Sequence, residues 1–121
     1  MNDLFDKDVL KRIGSSLIAR SETIAVAESV TAGLLQFAFS NIPDASHFFE
    51  GGLTAYNLKQ KSNQLRIEPL EAIQVNSISQ HVADEMALHV STKFITRWGI
   101  GVTGYASRVP ENNPDLFAFY A

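Results

Sequence analysis

The segment Ile24-Ala25-Val26-Ala27-Glu28-Ser29-Val30-Thr31-Ala32-Gly33-Leu34 passes from an apolar, partly β-branched run through a polar turn straight into a second apolar run. No other stretch limits the choice of fold as much. A short apolar run without polar alternation suits a strand covered on both faces, the usual state of parallel sheets between helix layers. A strand that feeds a helix directly is half of a βα unit, and so points to the α/β class. The turn also has chemical meaning. Where a strand gives way to a helix, free backbone N–H groups and a Ser or Thr hydroxyl converge, as in anion sites and serine nucleophiles.

The rest of the chain fits alternating helices and strands. Val9, Leu10, Ile13, Leu17 and Ile18 recur at helical spacing between Asp3 and Arg20, which predicts an amphipathic helix. Thr23–Ala27 is the first strand, and Leu34, Leu35, Phe37, Ala38 and Phe39 form a second helix that Asn41-Ile42-Pro43-Asp44 ends. Phe48–Tyr56 reads as a strand in which Gly51 and Gly52 permit a bulge or a close backbone approach. Asn57 is placed to cap a helix through Leu65, Pro69 to open a short helical turn, and Ser79 to cap a longer helix. On that last helix Val82, Met86, Val90 and Phe94 make one stripe. Trp98–Gly104 is a third strand, Arg108–Asp115 a turn-rich loop, and Leu116–Ala121 a final apolar strand. Such a strand is expected to be central, paired or covered, because a bare apolar edge invites aggregation. Phe37, Phe39, Phe48, Phe49 and Trp98 are expected to fill the core or a subunit interface.

With 121 residues the chain forms one domain, with no repeat or linker. Ten Lys and Arg against thirteen Asp and Glu give a net charge of -3, too little basic field for nucleic acid or an anionic membrane surface. The absence of Cys excludes disulfides, thiolate metal sites and thiol nucleophiles. No apolar run approaches the roughly eighteen residues of a membrane span, and the acidic amino terminus is unlike a signal peptide, so the expected location is the cytoplasm. His47, His81 and His89 lack ligand spacing, and no metal is expected.

Ala27-Glu28-Ser29-Val30-Thr31-Ala32-Gly33, then Gly51-Gly52-Leu53-Thr54-Ala55-Tyr56 with Lys61 five residues beyond, then Val102-Thr103-Gly104 occur in a fixed order. In that order and spacing the chain resembles the CinA carboxy-terminal domain family, whose active members are nicotinamide mononucleotide deamidases. The resemblance implies a three-layer α/β/α sandwich with a mixed, mostly parallel sheet. It implies hydrolysis of the carboxamide of a small pyridine nucleotide, with no cofactor and no metal. On this reading Ser29 is the nucleophile, Lys61 its activating partner, and Tyr56 and Thr103 lie close to the substrate. Glu28, Thr31, Ala32, Gly33, Gly52, Gly104 and Arg108 complete the expected binding residues. A homo-oligomer is the expected assembly.

The chain departs from the family pattern after Gly104, where Tyr105-Ala106-Ser107-Arg108-Val109-Pro110 carries no further glycine. Arg108 is then a candidate to grip phosphate with a guanidinium fork in place of lost N–H donors. The family also continues beyond the strand matching Leu116–Tyr120 with a basic loop and a closing helix, so residues 1–121 are read as a domain without that segment.

An amide carbonyl is a poor electrophile, so a serine needs a base for its proton and donors for the developing oxyanion. A lysine serves as that base only when neutral, which requires burial or a nearby cation to lower its pKa. Structural roles remain open for the same residues. Ser29 and Thr31 suit helix capping, Glu28 suits support of the turn, and Lys61 suits a solvated helix face. The corresponding alternative functions are a catalytically silent nucleotide-binding or assembly module and a purely structural oligomer subunit.

Overall fold

A computed structural model of the chain describes residues 4–69, 78–105 and 116–121. Helix α1 spans Lys7–Arg20, and its N-cap Asp6 accepts from the N–H groups of Asp8 and Val9. Strand β1 spans Ile24–Glu28 and is buried at every position. Helix α2 covers Leu34–Ser40 and is followed by a 3-10 turn at Ala45–His47. Strand β2 is Phe49–Thr54, helix α3 is Leu58–Leu65, helix α4 is Gln80–Phe94, β3 is Trp98–Gly104 and β4 is Ala118–Tyr120.

The strands form one sheet in the order β2-β1-β3-β4. β1 runs parallel to β2 and β3, while β4 pairs antiparallel with β3. The expected mixed, mostly parallel sheet is therefore present. β1, central and covered on both sides, carries the unbroken apolar run that such a position demands.

Alternation along β1 assigns the two helix layers. Ala25 and Ala27 pack with Leu65, Val82, Met86 and Val90 of α3 and α4. Ile24 and Val26 pack on the other face with Leu17 of α1 and Phe39 of α2. β2 changes phase at a bulge, where its register against β1 slips between Ile24 and Ala25 and Gly51 takes φ +130°. Gly52 serves the close approach: a Cβ there would sit 2.3 Å from the Val26 carbonyl oxygen and 2.9 Å from Gln36 Cγ. Both uses of the glycine pair match the sequence reading.

Asn57 caps α3 by accepting from the Gln60 N–H, and Ser79 caps α4 by accepting from the Val82 N–H. α4 lies directly on β3, because a Cβ on Gly101 would come within 2.5 Å of the Ala83 carbonyl oxygen. Among the expected core aromatics Phe39 and Phe48 are buried, whereas Phe37 and Trp98 are about half exposed, at 51% and 46%. Trp98 stands at the start of β3, where its indole N–H donates to Glu22. Among the described residues β4 is an edge strand paired on one side only, and its Tyr120 is exposed. The turn after Pro69 and the loop containing Arg108 lie outside the described residues.

Candidate active site

β1, β2 and β3 are parallel, so their carboxyl ends meet at one edge, the usual place for ligands in open α/β sheets. Ser29 is the first residue past β1. Its N–H donates to the Val102 carbonyl of β3 at 3.0 Å, and the next N–H on the other side, from Ala55, donates to the Glu28 carbonyl at 2.8 Å. The alternation that sends Ala25 and Ala27 toward α3 and α4 sends Ser29 the same way. Its hydroxyl donates to the Tyr56 carbonyl at 3.4 Å, immediately before α3 begins.

Thr103 shares that side. Ile100 of β3 packs with the α1 and α2 layer and Gly101 faces α4, so Thr103 again points toward α4. Thr103 is fully buried and Ser29 nearly so.

Lys61 stands on α3, which packs on the same side of the sheet. Leu58, Lys61 and Leu65 lie on one helix face, and both leucines pack into the α3–α4 cluster. The lysine between them is only 3% exposed. Among the described residues its ammonium takes no ion pair or hydrogen bond. Burial lowers its pKa from 10.5 to about 8, because a charge without water or a counter-ion favours its neutral form. The solvated reading of this lysine does not hold. Lys59 and Arg66, on the outer face of the same segment, are exposed.

Glu28 faces the opposite way, into α2, and is fully buried. Its carboxylate accepts from Thr31 Oγ1 at 2.7 Å, Leu35 N at 2.8 Å, and Gln36 N and Nε2 both at 2.9 Å. Neither Ser29 nor Thr31 caps α2. The N-cap position is Gly33, which has no side chain to offer, and the Glu28 carboxylate takes the N–H groups of the first turn instead. That turn is consequently closed to an incoming anion. The amides of Val30, Thr31 and Gly33 remain, and take no partner among the described residues. They sit in a contorted turn in which Ala32 has φ +53° and Gly33 φ +106°.

The other anticipated residues are dispersed. The Tyr56 side chain is 59% exposed although its carbonyl meets Ser29. Gly52 lies inside β2 under Gln36, short of the carboxyl edge. Gly104 ends β3 in close contact with Phe117 and Ala118. Arg108 lies outside the described residues. Gln36, which bonds both Glu28 and Thr54 Oγ1, is the residue that sequence reasoning passed over. Nothing in its local sequence distinguishes it from a surface glutamine. Away from this edge, Glu85 of α4 bridges two histidines: His81 Nε2 lies 2.9 Å and His89 Nε2 3.7 Å from its carboxylate.

A CinA-like protein of a Cyanothece strain is 38% identical over 102 residues, covering 84% of this chain and 24% of the relative. One from Prochlorococcus marinus is 46% identical over 91 residues, covering 74% of this chain and 21% of the relative. The chain thus spans about a quarter of the length of the curated relatives it matches. A solved CinA superfamily protein from Klebsiella pneumoniae superposes with a TM-score of 0.88 at 24% identity, over 95% of this chain and 73% of that one. The corresponding protein from Escherichia coli gives 0.84 at 20% identity, over 95% and 75%. These likenesses establish the α/β fold. A sequence model described as the CinA C-terminal domain matches residues 6–114, and the chain belongs to that family.

Proposed function

We propose that the domain hydrolyses the carboxamide of nicotinamide mononucleotide to nicotinate mononucleotide and ammonia. The observation that carries this reading is Lys61. A lysine 3% exposed, without a counter-ion among the described residues and with its pKa lowered to about 8, is neutral in roughly a tenth of molecules at pH 7, hundreds of times more than an ordinary lysine. It lies on the same side of the sheet as the Ser29 hydroxyl, at the first turn of the helix whose entrance that hydroxyl touches.

In the proposed reaction Ser29 Oγ attacks the carboxamide carbon while its proton passes to Lys61 Nζ. The carbonyl electrons move to oxygen, and the resulting oxyanion is met by the free amides around Val30 and Thr31. Collapse expels the amide nitrogen, which takes the proton from Lys61 and leaves as ammonia. Water then attacks the Ser29 ester, Lys61 accepts the water's proton and returns one to Ser29 Oγ, and the carboxylate product departs. The exposed Tyr56 side chain orders the nucleotide from the rim, and the fully buried Thr103 backs the reacting groups from β3. The sequence of steps requires no metal or cofactor.

A second reading, a catalytically silent nucleotide-binding module, draws on the Ser29 hydroxyl donating to the Tyr56 carbonyl instead of to an amine. One assay separates the two. Ammonia release from nicotinamide mononucleotide, lost by at least about a thousandfold in both Ser29→Ala and Lys61→Ala, is the expected result. Saturable binding without turnover, or turnover that survives Ser29→Ala, overturns it.

A further inference from the structure

We infer that Gln36, acting with Glu28, is a positioning residue that braces the Ser29–Gly33 turn in its reactive shape. The inference rests on the deamidase reading above. Gln36 Nε2 donates at once to Glu28 Oε2, at 2.9 Å, and to Thr54 Oγ1, at 3.2 Å. One amide thereby ties together the ends of β1 and β2 and the first turn of α2. β2 makes room for it with Gly52, where a Cβ would lie 2.9 Å from Gln36 Cγ.

The turn needs such bracing. Ala32 is a residue with a Cβ held at φ +53°, and backbone of this kind persists only where its surroundings over-determine it. Three amides of the same turn are unpaired among the described residues, and its backbone bonds are two, Ala32 N–H to Ser29 O at 3.1 Å and Leu34 N–H to Thr31 O at 3.0 Å. Glu28 adds the side-chain ties, gripping Thr31 Oγ1 on one side of Ala32 and Leu35 N and Gln36 N on the other. With two oxygens accepting four donors, the carboxylate itself is held in place partly by the Gln36 side chain. Gln36 bonds neither Ser29 nor Lys61, so its effect on chemistry passes through the turn.

Two variants test this. Gln36→Leu removes the side-chain tie and leaves the α2 backbone bonds to Glu28 in place. The expected result is a kcat for nicotinamide mononucleotide lower by roughly tenfold to a hundredfold with KM within about twofold, the signature of misplaced reacting groups. Amide exchange at Ala32 and Leu35, whose N–H groups donate to the Ser29 carbonyl and to the Glu28 carboxylate, becomes faster at the same time when read by NMR. Gln36→Glu sets a second carboxylate against Glu28, and the pair can keep the original geometry only while sharing a proton. Its rate relative to wild type therefore falls as pH rises, an effect that a loss of fold stability alone would not give in a variant still folded by circular dichroism.

Unchanged kcat and unchanged exchange in Gln36→Leu overturn the brace. So does a raised KM at constant kcat, or a lower kcat without faster exchange, since Gln36 would then act on the substrate directly. If Gln36→Leu does not fold, the pH trend of Gln36→Glu decides. Should the wild type release no ammonia, the deamidase reading fails by itself, and the exchange comparison alone upholds or overturns the brace.

Discussion

Lys61 occupies a helix position that its neighbours Leu58 and Leu65 mark as core-facing, and the cost of that placement depends on pH. Its folded pKa of about 8 lies below the ordinary 10.5, so the folded state resists protonation more than the unfolded chain does. Below about pH 8 the full penalty is present; it fades as pH rises toward 10.5, where the amine is neutral in both states. Lys61→Met should therefore raise stability at pH 7, with the gain over wild type shrinking between pH 8 and pH 10.5 in denaturant titrations. The same ionisation governs the proposed chemistry in the opposite sense. kcat/KM for nicotinamide mononucleotide should climb with pH and level off above about 8, as the base loses its proton. A profile flat from pH 6 to pH 9 would remove Lys61 from that role.

At the scale of elements, glycines set how closely layers meet. A Cβ on Gly101 would press on the Ala83 carbonyl oxygen, the Ala87 nitrogen and Met86 Cβ. Gly101→Ala should cost about 1–3 kcal/mol in chemical unfolding, since α4 must lift from β3. Asn57→Ala, which removes the cap of α3, should cost about 1 kcal/mol. These elements were largely readable in advance. The apolar run of β1, the stripe of α4 and the caps Asn57 and Ser79 are local signals, and local rules suffice for them. The wiring of the turn was not. Sequence patterns propose Ser29 or Thr31 as caps of α2, but the cap is a carboxylate on the preceding strand, reached only because β1 and α2 pack together. Lys61 was legible as a candidate through its spacing from Tyr56, while its burial became visible only with the helix docked. Gln36 had no local signal, because its two partners come from different strands.

Over the whole molecule, β4 presents an apolar edge. Its residues Ala118 and Tyr120 fall in the wide pairs of the β3 ladder, with their backbone polar groups turned outward and, among the described residues, only the Tyr120 carbonyl met, by Gln80 Nε2. Edge-to-edge pairing of two copies is the proposed assembly. Sedimentation should give a mass above 13.3 kDa that Tyr120→Lys reduces, because a charge on an edge opposes strand addition. The lowered pKa of Lys61 has one further consequence at this scale. It arises from exclusion of water and owes nothing to a neighbouring charge, and the chain carries only -3 overall. Mobile ions screen exposed charges beyond about 8–10 Å and leave dry interiors nearly untouched. The proposed turnover should accordingly proceed with the same pH midpoint in dilute buffer and in brine, a tolerance that enzymes tuned by ion pairs do not have.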